Sequence, residues 1–138
     1  MTIRRMVSVA ICSTTLALAA CAGPSQTVPP AAEQVHPAWL TGTWQGTAFQ
    51  VATSNNPGGE IAVTLTFADG GAWTAMSGAS GTSWLVGNRV MLDGTSPNNA
   101  GRVRYTLKER KDPDGAHELW GIADASFGAA AVSLKKIR

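Results

Sequence analysis

The chain has 138 residues, 44% of them hydrophobic and 14% charged, with a formal net charge of +2 and two cysteines. A length of this order accommodates one domain, and Cys12 and Cys21 alone exclude a disulfide-built scaffold. The excess positive charge comes from Arg4 and Arg5; without them nine basic side chains stand against nine acidic ones. That balance argues against nucleic acid as a partner, because such binding needs many cations against phosphates.

Residues 1–20 read as a secretory signal peptide: Arg4 and Arg5, an apolar run from about Met6 to Ala17, then the small-residue box Leu18-Ala19-Ala20 ahead of Cys21. The run is shorter than the ~20 residues of a membrane span and is diluted by Ser8, Ser13, Thr14 and Thr15. The box and its cysteine resemble the lipobox of bacterial lipoproteins. The resemblance implies that the Cys21 thiol receives a diacylglyceryl group, that the signal is cut before it, and that the new N-terminus is acylated, palmitate being the typical chain. Three acyl chains anchor far more firmly than the single chain whose membrane binding is marginal. Ala22 stands where an Asp would direct retention in the inner membrane, so the same resemblance implies the outer membrane of the cell envelope.

Residues 21–37 form the lipidated Cys21 and a tether, with Pro24, Pro29, Pro30 and Pro37 among small and polar residues. In a polyproline-like state the tether reaches up to ~50 Å, at ~3.1 Å per residue. Residues 38–138 are then the folded domain. Its dominant signal is alternation with a period of two: Ile61, Val63, Leu65 and Phe67 point one way and Ala62, Thr64, Thr66 and Ala68 the other. In the same way Val103, Tyr105 and Leu107 oppose Arg102, Arg104, Thr106, Lys108 and Arg110.

Turn residues break this pattern at 55–59, 69–71, 78–81, 87–88, 93–101, 111–115 and 124–128. Eight strands are expected, near 42–52, 60–68, 72–77, 82–86, 89–93, 102–110, 116–123 and 129–136. Fourteen of the 15 glycines lie from Gly42 onward, which disfavours long helices at ~1 kcal/mol per interior glycine. The expected fold is all-β, a small eight-stranded antiparallel up-and-down β-barrel, since closure removes exposed sheet edges.

Gly42-Thr43-Trp44 opens the first strand of this domain. A Gly-x-Trp at that place resembles the calycin superfamily of lipocalins, fatty-acid-binding proteins and avidins. The resemblance implies a barrel whose Trp44 closes the bottom, with Lys136 or Arg138 from the last strand stacked over the indole, and a small apolar ligand held in or at the mouth. Lipocalins are longer, however, and strands this short are expected to leave little interior beyond what side chains fill.

Five tryptophans, Trp39, Trp44, Trp73, Trp84 and Trp120, are many for ~100 residues. Trp73, Trp84 and Trp120 are the candidate ligand-binding residues, as apolar sites are rich in aromatic walls; the alternative is that large rings fill a core otherwise rich in Ala and Gly. Arg102, Arg104, Lys108 and Arg110 make a basic strand face for an anionic partner, or a solvated face that keeps the barrel soluble.

No catalytic residues and no metal or cofactor site are expected. His36 lies in the tether, and His117 reads as a surface or hairpin residue beside Glu118, which alternation sends to the opposite face. No nucleophile motif, phosphate loop or metal-ligand spacing occurs. The Ser77-Gly78-Ala79-Ser80-Gly81 loop resembles the Ser-Gly loop that periplasmic lysozyme inhibitors insert into their target, although the disulfide of those inhibitors has no counterpart here. Small barrel inhibitors of secreted metalloproteases, which block the enzyme with the segment before the first strand, are a further likeness. The expectation is therefore a non-enzymatic envelope lipoprotein that binds a small apolar ligand. An inhibitor or interaction module contacting an envelope protein and a structural surface lipoprotein remain as alternatives.

Overall fold

A computed structural model describes residues 35–98, 101–125 and 128–137. The expected signal peptide, Cys21, the expected tether up to residue 34, and Arg138 lie outside these residues. The strands are β1 (Gly42–Gln50), β2 (Gly59–Phe67), β3 (Ala72–Ala75), β4 (Ser80–Val86), β5 (Arg89–Ser96), β6 (Gly101–Lys111), β7 (His117–Ala125) and β8 (Gly128–Lys136). Each pairs antiparallel with its neighbour, and β1 closes on β8 from Trp44↔Lys136 to Gln50↔Ala130. This is the expected up-and-down barrel, in which the short β3 pairs only with Leu65–Phe67 of β2.

Several strand ends differ from the sequence expectation by two or three residues, two of them for clear physical reasons. β5 runs on past Asp93 through Gly94-Thr95-Ser96, three residues expected in a turn, because Gly94 pairs with Gly81 and Val103 and lies where the Trp73 ring comes close. β3 stops at Ala75, where Ala75 N–H donates to the Ala79 carbonyl and Gly78 takes a positive φ of 89°, closing a tight turn.

Alternation decides which side chains face inward, and their sizes are unequal along the barrel. At the end where the chain enters, the interior holds Leu40, Trp44, Leu65, Phe67, Trp73, Leu119 and Leu134, all essentially without solvent contact. Burying a Leu or Phe side chain contributes ~1.5–3 kcal/mol, so this half carries most of the hydrophobic stabilisation. At the other end the inward positions are Ala48, Ala75, Ala123, Ala130, Val103 and Tyr105. Among the described residues, therefore, one end is plugged and the other is left open.

The plug begins before the expected domain start at residue 38. Leu85 N–H donates to the Val35 carbonyl, and half-buried His36 reaches Thr41 Oγ1 at 3.3 Å and Ser83 Oγ at 3.5 Å. Burial lowers the His36 pKa, and the nearby Asp69 carboxylate partly offsets this. His36 thus belongs to the barrel rather than to a free tether, because β3 is too short to cover the lower half of β4 and the entering chain fills that place.

A turn from Pro37 to Leu40 then carries Trp39 and Leu40 across the bottom, with Leu40 N–H donating to the Pro37 carbonyl. Trp44 donates its indole N–H to the Leu40 carbonyl at 2.8 Å and meets Trp39 edge-on at 6.2 Å. Lys136 Nζ lies 6.0 Å from the Trp44 ring centroid and donates to the Trp39 carbonyl at 2.7 Å. The basic partner of Trp44 among the described residues is thus Lys136.

His117 is not the plain surface residue expected. Its ring stacks on Trp39 at 5.4 Å and an interplanar angle of 5°, and its Nδ1 is hydrogen-bonded to Glu109. It occupies the lowest inward position of β7, and the entering segment, distant in sequence, lies over it.

Candidate functional site

The open end encloses a cavity of about 410 Å3. Its walls come from inward positions near the upper ends of the strands, among them Ala48, Ile61, Val63, Val103, Ala123 and Ala130. Register explains why the space is empty. Tyr105, Ala123, Ala130 and Gln50 are successive cross-strand neighbours on β6, β7, β8 and β1, so two methyl side chains stand where a full core would need Leu or Phe. The volume lies near the lower end of the ~300–1,000 Å3 of small-molecule sites. The expectation of little free interior thus gives way, because interior space in a short barrel is decided by side-chain size at one level rather than by strand length alone.

Among the described residues, the polar side chains at the rim are uncharged. Asn56 donates from its side chain to Gln50 Oε1 at 3.1 Å and accepts the Gly58 N–H at 2.9 Å, which holds the β1–β2 loop in shape. Asn98 donates to the Ser77 carbonyl at 2.8 Å and ties the β3–β4 turn to the loop after β5. The Ser77–Gly81 segment is therefore part of the mouth, with Ala79 buried under it. No charged side chain lines the cavity among the described residues. Tyr105 stands in its wall, 9% exposed, with its ring edge-on to Trp73 at 5.6 Å, and burial raises the pKa of its hydroxyl.

None of the three candidate tryptophans lines this cavity. Trp73 lies in the core behind Tyr105 and donates its N–H to the Thr82 carbonyl at 3.1 Å. Trp84 points outward opposite Met91, outside the interior cluster, yet is only 4% exposed. Trp120 also points outward, 44% exposed, with Lys108 Nζ 5.7 Å from its ring centroid. The residues that make the site are alanines, which composition does not single out. A signal existed in the alternating phase of β7 and β8, where small residues fall on the inward side near the Ala125 and Gly128 ends.

The basic face is largely matched by acids. Arg102 forms a two-point ion pair with Asp93, at 2.6 and 2.8 Å, and Arg104 sits in register between Asp93 and Asp124. Arg110 pairs with Glu118 at 2.6 Å, and Lys135 approaches the same carboxylate at 3.1 Å. Arg110 first, and then Lys135, hold the Glu118 carboxyl below the usual carboxylate range. The face thus reads as a cross-strand ladder of opposite charges, of the kind that supports a sheet.

Ser83, His36, Thr41 and Asp69 lie close together, but their hydrogen bonds do not form a relay. The buried Ser83 hydroxyl donates to the Gly71 carbonyl at 2.9 Å, and Asp69 accepts from Thr41 rather than from His36. The group latches the entering chain to the barrel. No cluster of three metal-ligating side chains occurs among the described residues. Comparison with family models, with curated proteins and with solved structures finds no match to this chain.

Proposed function

We propose that this chain is a non-enzymatic envelope lipoprotein whose lipocalin-like barrel takes up a small apolar ligand at its mouth. The observation that carries the reading is the alanine-walled cavity at one end of a barrel whose other end is plugged by Trp39, Leu40 and Trp44. Apolar walls with a few placed polar groups are the usual make-up of a small-molecule site.

Filling the cavity tests the reading. Ala130→Phe places a ring in the space with little change elsewhere, and uptake of the neutral dye N-phenylnaphthylamine, followed by its fluorescence, is expected to weaken about tenfold or more, a loss of ~1.4 kcal/mol. The melting temperature should hold or rise as the void is filled. Equal dye affinity in the wild type and a folded Ala130→Phe variant counts against the mouth as the site.

The lipid anchor is part of the same proposal, supported by Arg4, Arg5, the apolar run and Leu18-Ala19-Ala20-Cys21. The described chain enters the barrel at its plugged end, opposite the mouth. A Cys21→Ser chain is expected to leave the membrane fraction on cell fractionation; unchanged sedimentation with membranes would remove the anchor. A module that contacts an envelope protein through the basic face has weaker support, because Arg102, Lys108 and Arg110 are engaged within the barrel.

A further inference from the structure

The cavity's polar content is small and of one kind. Gln50, Asn56, Asn98 and Ser77 at the rim are neutral, and partly satisfied by one another. Within the wall, Tyr105 is nine-tenths buried, and no described residue is hydrogen-bonded to its hydroxyl. No side-chain oxygen or nitrogen of the described residues is both sealed from solvent and unpartnered. The Tyr105 hydroxyl, on a residue of the cavity wall, therefore touches solvent-accessible space and has no hydrogen-bond partner among the described residues.

We infer that the mouth selects uncharged amphiphiles, an apolar body bearing a hydroxyl, ester or amide oxygen that pairs with the Tyr105 hydroxyl, and rejects anionic ones such as fatty carboxylates. The inference rests on the ligand-binding reading above and adds the ligand's charge. A carboxylate drawn into this space loses its water and finds no cation among the lining residues, and burying an unpaired charge is far costlier than burying a polar group with a partner. A neutral oxygen loses less on leaving water and regains a hydrogen bond from Tyr105, a net gain of ~0.5–1.5 kcal/mol. The high pKa that burial gives this phenol keeps it a neutral donor across the physiological range.

The test is displacement of N-phenylnaphthylamine from the purified chain by dodecanol, methyl dodecanoate and dodecanoate, at about pH 8 where the acid is ionised. Dodecanol and the ester are expected to compete at least about tenfold better than dodecanoate, and dodecanoate should gain affinity as the pH falls and its carboxyl is protonated. Tyr105→Phe, which keeps the ring and its contact with Trp73, is expected to weaken dodecanol about fivefold, ~1 kcal/mol, once displacement is referred to that variant's own affinity for the dye. Dodecanoate binding as tightly as dodecanol overturns the charge selection. Equal dodecanol affinity in Tyr105→Phe overturns the role of Tyr105. Absence of dye uptake, or uptake indifferent to Ala130→Phe, instead brings down the underlying binding reading, and this inference with it.

Discussion

Trp44→Ala is expected to destabilise the barrel by ~3–5 kcal/mol, the range for removing a large aromatic ring from a closed core. In a domain of about 100 residues that lowers the melting temperature by well over 10 °C, at roughly 4–8 °C per kcal/mol. The ring has no solvent contact, and it does more than fill space. Its N–H satisfies the Leu40 carbonyl, its ring packs edge-to-face with Trp39, and Lys136 stands over it while donating to the Trp39 carbonyl. Truncation leaves a void at the bottom and strips these partners from the Pro37–Leu40 turn, so the turn and the His117 stack on Trp39 should loosen with it. A Trp44→Ala protein that melts within a couple of degrees of the wild type would falsify the assignment of Trp44 as the plug.

Gly46→Ala is expected to destabilise by ~3 kcal/mol or more, the upper part of the range for overpacking. Gly46 lies on an inward position of β1, between Val63 of β2 and Leu134 of β8. A Cβ there would press into the Ser133 carbonyl oxygen and approach the Leu134 Cα to 2.9 Å. Both are backbone atoms of the strand that closes the barrel, so neither can swing aside as a flexible side chain would. Relief requires moving β1 and β8 apart along the seam that makes the sheet a barrel. Thr47→Ala, one residue on and facing solvent, is the control and should cost less than ~1 kcal/mol. Chemical denaturation of both variants decides the matter: similar midpoints for the two would show that the seam tolerates the methyl group.

The plugged half and the open half of the barrel answer different physical demands. Large rings and leucines at the bottom supply buried area, and the hydrogen bonds of Trp44, Lys136 and Ser83 fix how the entering chain lies across it. The alanines at the mouth forgo that area. A native interior rarely keeps space larger than a water molecule, so a cavity of about 410 Å3 walled by methyl groups is a departure that a ligand would complete.

What could be read along the chain was its local periodicity. Ile61-Val63-Leu65-Phe67 against Ala62-Thr64-Thr66 states a strand with one buried face wherever that strand ends up, and turn residues between such runs state how many strands there are. The eight strands, their antiparallel order and the inward place of Trp44 follow from such signals. Gly94 misled for the same reason, because a glycine that admits a neighbouring ring looks in sequence like one that makes a turn. Tertiary structure alone decided which inward residues share a level. The stagger between strands of a closed barrel sets Tyr105, Ala123, Ala130 and Gln50 side by side although they span 81 positions of sequence, and it brings Trp39 onto His117 and under Lys136. Alternation tells each side chain which way to face, whereas the height at which eight strands meet depends on every register at once, and that height is where this barrel keeps its cavity.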